Sequence, residues 1–185
     1  MQNLTHLQAI ITNDPVRMRI LRLVKELGLP DCWVAAGFVR SAIWDQLHQR
    51  SHSNLPADID VIWFDRERAS AQTDAAFEAV LRCMDSTLDW SVKNQARMHL
   101  RNADLPYDSA TDAMSYWPET ATAIAVRLTE HGIEVAAPFG LDDLFNLIVR
   151  PTTGFERAKR DEYLNRLRLK NWLATWPDLK IHAPD

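Results

Sequence analysis

Asp58-Ile59-Asp60-Val61-Ile62-Trp63-Phe64 is the stretch on which the reading of this chain turns. The apolar run after the second aspartate predicts a buried strand over residues 59–64. Side chains alternate along a strand, so Asp58 and Asp60 point to one face. Two carboxylates thus converge at the mouth of a strand too apolar to be an edge in open water. Like charges this close repel unless a proton or cation lies between them, which suits a hard divalent ion such as Mg²⁺ held through oxygen ligands. The plainer alternative has Asp58 capping a loop and Asp60 facing solvent.

Upstream, Trp33-Val34-Ala35-Ala36 predicts a short apolar strand broken by Gly37, after which Val39, Ile43 and Leu47 restart a helical face. Gly37-Phe38-Val39-Arg40 therefore lies where strand gives way to helix. Free amides and the helix dipole at such a turn favour phosphate, and Arg40 adds charge in the first turn. The bland reading is a tight connection and no more. Before it, Asn3 is expected to cap a short helix carrying Leu4, Leu7, Ile10 and Ile11. Asp14-Pro15 then caps a second, with Val16, Ile20, Leu23, Val24 and Leu27 inward and Arg17, Arg19, Arg22 and Lys25 in water.

Downstream, a helix is expected from about Ser70 to Thr87, then a strand near Trp90–Lys93. Lys93, Asn94, Arg97 and His99 follow, bunching donors in a loop that can bind phosphates or an acceptor, or can simply be solvated. His99 has no second His or Cys at ligand spacing and reads as a hydrogen-bonding residue. Residues 107–120 are turn-rich and partly helical. Ile124–Leu128 and Ile133–Ala136 flank Glu130-His131-Gly132 as an antiparallel hairpin. A short helix over Leu141–Val149 stops at Pro151, and a charged helix runs from about Phe155 to Leu173. This alternation argues for a sheet covered by helices, in the α/β or α+β class.

At 185 residues, 46% hydrophobic, the chain suits one globular domain over 1–185, with helical extensions at about 1–30 and 152–185. No apolar run reaches the length that crosses a bilayer, and the N-terminus lacks a basic, apolar leader, so a cytoplasmic protein without membrane association is expected. Cys32 and Cys83 match no metal or redox spacing. A net charge of −4 gives no general attraction to nucleic acid. Trp44 and Trp63 read as core packing, and the basic C-terminal helix, interleaved with Glu156, Asp161 and Glu162, as a solvated one.

Taken together, Ala36-Gly37-Phe38-Val39-Arg40 and the later Asp58-Ile59-Asp60-Val61 resemble the nucleotidyltransferase superfamily that includes polymerase beta and the CCA-adding enzymes. The whole chain, from about residue 15 to 177, further resembles a bacterial nucleotidyltransferase-like family of largely unassigned function. The segments that carry this are Trp90–His99 (WSVKNQARMH), Trp117–Thr122 (WPETAT) and Pro138–Phe145 (PFGLDDLF).

The resemblance implies an α+β, α/β-like nucleotidyltransferase fold, a mixed β-sheet with packed helices. It also implies an NTP near the glycine turn, Mg²⁺ (or Mn²⁺), and three acidic ligands. Asp58 and Asp60 match the first two, and Glu134, between Ile133 and Val135, is the best third; Asp142 and Asp143 are better explained as helix caps. Gly37, Phe38, Arg40, Lys93, Asn94 and Arg97 are the expected substrate-binding residues. Two features depart from the pattern: Phe38 stands where a second small residue is usual, restricting approach to the turn, and Ser41 stands where the CCA-adding enzymes commonly carry aspartate. No counterpart of their base-selecting motif is found. The expected activity is metal-dependent transfer of a nucleotidyl group from an NTP to an acceptor that is a small molecule, RNA or protein. The alternative is a catalytically silent module that binds a nucleotide or a protein on the same fold; a toxin or antitoxin role gains nothing from these residues.

Overall fold

Five short apolar segments assemble the central sheet in the order β3-β2-β1-β4-β5. They are β1 (Trp33–Ala35), β2 (Ile59–Trp63), β3 (Trp90–Asn94), β4 (Ala125–Thr129) and β5 (Gly132–Ala136). The computed structural model describes residues 2–183. β1 runs antiparallel to both β2 and β4, β4 antiparallel to β5, and β2 parallel to β3, so the sheet is mixed, as expected. A parallel pair needs a long crossover, and α4 (Ala71–Met84), capped by the Ser70 hydroxyl on the Thr73 amide, supplies it.

Period-two alternation divides the core between two faces. Val34, Ile59, Val61, Trp63, Val92 and Val126 pack with Leu7, Ile11, Ile20, Phe38, Ile43 and Trp44. Those partners come from α1 (Gln2–Thr12), α2 (Pro15–Glu26) and α3 (Gly37–Leu47). The helix α1 already includes Asn3, which therefore does not cap it. On the other face, Trp33, Ala35, Ile62, Ala125 and Ala136 pack with Ala110, Met114 and Ala123. Here α6 (Ala110–Met114) supplies Ala110 and Met114, and α5 (Met98–Asn102), which precedes it, has no buried residue.

The C-terminal third is more broken than its sequence suggests. α7 (Asp142–Phe145) is followed by β6 (Ile148–Val149), which pairs with β7 (Lys180–Ile181). The single charged helix expected over 155–173 is three: α8 (Thr153–Glu156), α9 (Arg160–Lys170) and α10 (Trp172–Thr175). Asn171, left-handed at φ 42°, turns the chain between the last two. That turn brings Trp172 and Trp176 against Trp44 of α3, with ring centroids 5.8 and 5.2 Å away. No helix among the described residues is long and apolar enough to cross a membrane.

Candidate active site

The turn between β1 and α3 carries its strain at Ala36, not at the glycine. Ala36 has φ 52° and ψ −117°, a region costly for any residue with a Cβ. Gly37 is required for space instead: a Cβ there would lie 3.0 Å from Pro56 Cβ and 3.4 Å from an Arg40 guanidinium nitrogen. The backbone amides of Gly37 and Phe38, first in α3, donate to no acceptor among the described residues, as expected of a helix start.

Arg17 holds this turn in place. The sequence pattern put it in water, yet it is fully buried. Its Nε donates to the Phe38 carbonyl at 3.0 Å, and its guanidinium reaches Asp14, the Ser53 hydroxyl and the Asn54 carbonyl. One side chain thereby ties α2 to the start of α3 and to the loop that leads to Asp58. Phe38 itself is fully buried under the Arg17 guanidinium, so its ring neither reaches the turn's open side nor restricts it.

That open side is a cavity of about 670 Å³ whose walls include Gly37, Arg40, Asp58, Asp60, Arg166 and Lys170. Asp58 is exposed and Asp60 half-buried. Burial, and then the neighbouring Asp58 charge, push the Asp60 carboxyl up to about 6, against the pull of Lys170, Arg40 and Arg166. Arg40, 8% exposed, lies between the rings of Trp44 and Trp172, its guanidinium carbon 5.2 and 4.9 Å from their centroids. Burial pulls its pKa down to about 10, and its Nε is buried with no hydrogen-bond partner. A buried cation left unsatisfied is costly unless a ligand completes it.

The C-terminal elements form the outer wall, through contacts the sequence did not announce. Asp45 of α3, 3% exposed, accepts from the Ser53 hydroxyl at 2.8 Å and the Trp176 indole at 2.7 Å, and pairs with Arg50. Arg166 donates to Glu119, a fully buried carboxylate that also accepts from Thr122. Arg166 and Lys170 of α9 therefore serve the cavity, where a solvated helix was expected. The one available signal was an acid, Asp45, following the apolar run Ala42-Ile43-Trp44 of α3.

Several expected site residues lie elsewhere. Glu134 is on β5, an outer strand, with β4 and β1 between it and β2. At roughly 4.8 Å per strand this sets it about 14 Å from the aspartates, and it pairs with Arg127 at 2.8 Å. It lines neither cavity beside the aspartates, and the described residues contain no cluster of three or more acids, His or Cys fit to hold a metal. Asn94 is fully buried, its side chain bridging to the Asp65 loop and capping the Ala96 amide. Arg97 pairs with buried Asp74, which also accepts from the Trp63 indole and the Asn94 amide. Both are structural groups. Lys93 is held by Glu78 at 2.6 Å and faces a smaller, adjoining cavity. His99 stacks edge-on to Tyr107, and its buried Nδ1 has no hydrogen-bond partner among the described residues, where a hydrogen-bonding residue was expected.

A family model described as nucleotidyltransferase matches residues 22–181. Among solved structures, the chain is 38% identical to a protein whose NMR structure is described as revealing a CCA-adding enzyme head domain; the match covers 96% of this chain and 95% of that one, with a TM-score of 0.85. The Thermotoga maritima CCA-adding enzyme complexed with tRNA shares the fold at 17% identity and a TM-score of 0.61, over 95% of this chain and 42% of that one. A CCA-adding enzyme in complex with CTP does so at 15% and 0.60, over 96% and 43%. The chain thus spans less than half the length of those two enzymes. No curated protein matches it. With a family model matched over most of its length and the mixed sheet in place, this chain belongs to the nucleotidyltransferase family.

Proposed function

We propose that the chain transfers a nucleotidyl group from an NTP to an acceptor hydroxyl, with Asp58 and Asp60 as the ligands of Mg²⁺ or Mn²⁺. The observation that carries this is one cavity holding two carboxylates without an ion-pair partner among the described residues, together with a buried arginine whose Nε has no partner. The donor set fits the ion: Mg²⁺ is commonly bound by one or two carboxylates, with substrate phosphate oxygens and water completing its shell. A divalent ion there would also relieve the repulsion between Asp58 and Asp60. Its chemistry is to polarise phosphoryl oxygens and neutralise charge on the leaving group.

The protein's own groups supply the rest. The Gly37 and Phe38 amides and Arg40 receive the triphosphate, and Lys170 extends the cationic wall along it, Arg166 being paired with Glu119. Trp172 and Trp176 shield that side from water. The acceptor oxygen approaches in line with the departing pyrophosphate, and positioning of the two reactants provides much of the rate. Calorimetry with each NTP and Mg²⁺ tests this: the unmodified chain is expected to bind at least one NTP, and the Asp58→Asn, Asp60→Asn double variant to bind none. Equal binding by both proteins would remove the site.

The silent-module alternative draws on the missing third carboxylate among the described residues. Release of pyrophosphate under turnover with an acceptor present excludes it.

A further inference from the structure

We infer that a second cavity beside the first receives the acceptor, and that this acceptor is a small uncharged molecule carrying a hydroxyl, not the end of an RNA chain. This deepens the nucleotidyl-transfer reading and rests on it.

The second cavity, about 250 Å³, shares Ala36, Asp60 and Arg166 with the first. Asp60 thus stands in both, and a molecule in the smaller cavity lies next to the same carboxylate that the triphosphate cavity uses. The walls away from Asp60 are largely apolar, with Ile62, Met98 and the half-buried Trp117 among them. The Ser91 hydroxyl on β3 lines it with no hydrogen-bond partner among the described residues, so it is free to bond a polar group on a ligand. A cavity of roughly 150 Å³ already admits benzene, so this one suits a single ring or a body of similar size.

Charge decides between a small acceptor and RNA. The two cations that line the smaller cavity are both neutralised: Lys93 by Glu78 at 2.6 Å and Arg166 by Glu119 at 2.6 Å. Nearby, Arg97 is paired with Asp74 and Lys159 with Asp104, and Arg101, exposed on α5, lies outside the lining. Asp60, the remaining charge in the lining, is negative. An RNA strand needs several free Lys or Arg along its phosphates, and this lining, its two cations already paired, offers none. The larger cavity contrasts: Arg40 and Lys170 have no ion-pair partner among the described residues, and a triphosphate supplies one.

In the transfer, the acceptor oxygen forms a bond to the α-phosphorus of the NTP while the bond from that phosphorus to the β-phosphate bridging oxygen breaks. Pyrophosphate leaves through the larger cavity, the hydroxyl proton passes to water, and nothing is oxidised or reduced.

Benzyl alcohol, a neutral ring with a hydroxyl, serves as the probe in ¹H–¹⁵N NMR titrations of the full chain. Titration is expected to shift the Trp117 indole and Ser91 amide signals, while a single-stranded oligoribonucleotide with a free 3′-hydroxyl leaves them unmoved. Trp117→Ala, or Met98→Trp as a cavity-filling variant should the first unfold, is expected to abolish the Ser91 shift and leave NTP affinity within about twofold by calorimetry. Shifts caused by the oligoribonucleotide, no shift with benzyl alcohol, or an undiminished Ser91 shift in the variants would overturn the proposal. Absence of NTP binding by the unmodified chain, read in the calorimeter independently of these signals, would overturn the nucleotidyl-transfer reading beneath it.

Discussion

Arg166 Nε lies 2.6 Å from the Oε1 atom of Glu119, a carboxylate with no solvent exposure, and this bond joins helix α9 to the segment entering β4. Removing the arginine strands a buried charge, which is far more costly than never having had the pair. Arg166 is one-third exposed, so the loss is expected below the full cost of breaking a buried pair. Arg166→Ala should destabilise the protein by about 2–3 kcal/mol in urea denaturation. Glu119→Gln with Arg166→Met together should recover part of it, and unchanged stability in the single variant would refute the coupling.

Arg40 is expected to behave in the opposite way. Its charge is buried between two tryptophans with its Nε unsatisfied, so a shape-matched apolar side chain relieves the molecule of an unmet desolvation cost. Arg40→Met should be at least as stable as the unmodified chain in thermal unfolding, yet lose NTP binding by tenfold or more. A variant that is destabilised by more than about 1 kcal/mol would show the guanidinium to be structural.

Asp60 makes the metal-free protein sensitive to pH. A carboxyl raised from an ordinary 3.8 to about 6 holds its proton more tightly when folded, so stability falls as pH rises between those values. Asp60→Asn should therefore stabilise the metal-free chain at pH 7 by up to about 3 kcal/mol, with the gain vanishing near pH 4. Mg²⁺ should raise the melting temperature of the unmodified protein at pH 7, less so below pH 6, and leave the Asn variant unmoved.

Gly37→Ala places a Cβ 3.0 Å from Pro56 and 3.4 Å from Arg40. Overpacking of this kind costs about 1–3 kcal/mol. Because the displaced groups line the cavity proposed for the triphosphate, NTP affinity is expected to fall with stability. Ala36→Gly, by contrast, relieves a positive φ and should stabilise or leave stability unchanged. Chemical denaturation of the two variants side by side distinguishes space from backbone strain at this turn.

Glu134 is the control. It pairs with Arg127 on the outer part of the sheet, both half-exposed, so Glu134→Gln should cost less than about 1 kcal/mol. NTP and Mg²⁺ binding should not change, and a loss of either would return Glu134 to the site.

How much of this was legible beforehand follows from the range of the interactions involved. Period-two alternation, the Asp14-Pro15 cap and the turn at Gly37 are local signals, and they put β1, β2, α2, α3 and the β4–β5 hairpin at their observed places. The same alternation put Asp58 and Asp60 on one face, where the structure has them at one cavity. Local flanks could not say which strand lies beside which: Ile133-Glu134-Val135 has the look of an inner strand, and only the order β3-β2-β1-β4-β5 removes Glu134 from the aspartates. Nor could they reveal that Arg97 and Asn94 answer a buried Asp74 twenty or more residues away.

The sequence by itself thus determined the fold class, the strand-to-helix turn at Gly37 and the acidic pair, because each depends on residues within a few positions of one another. The tertiary structure alone decided what surrounds them. Arg17 was drawn inside by acceptors on α3 and the 53–54 loop, and Arg166, Lys170 and Trp172 were carried to the cavity by the left-handed turn at Asn171 and the Asp45–Trp176 bond. Those placements are set by pairings across 20 to 130 residues, where burial makes each unsatisfied polar group find a partner wherever the fold brings one, and no local pattern records that choice.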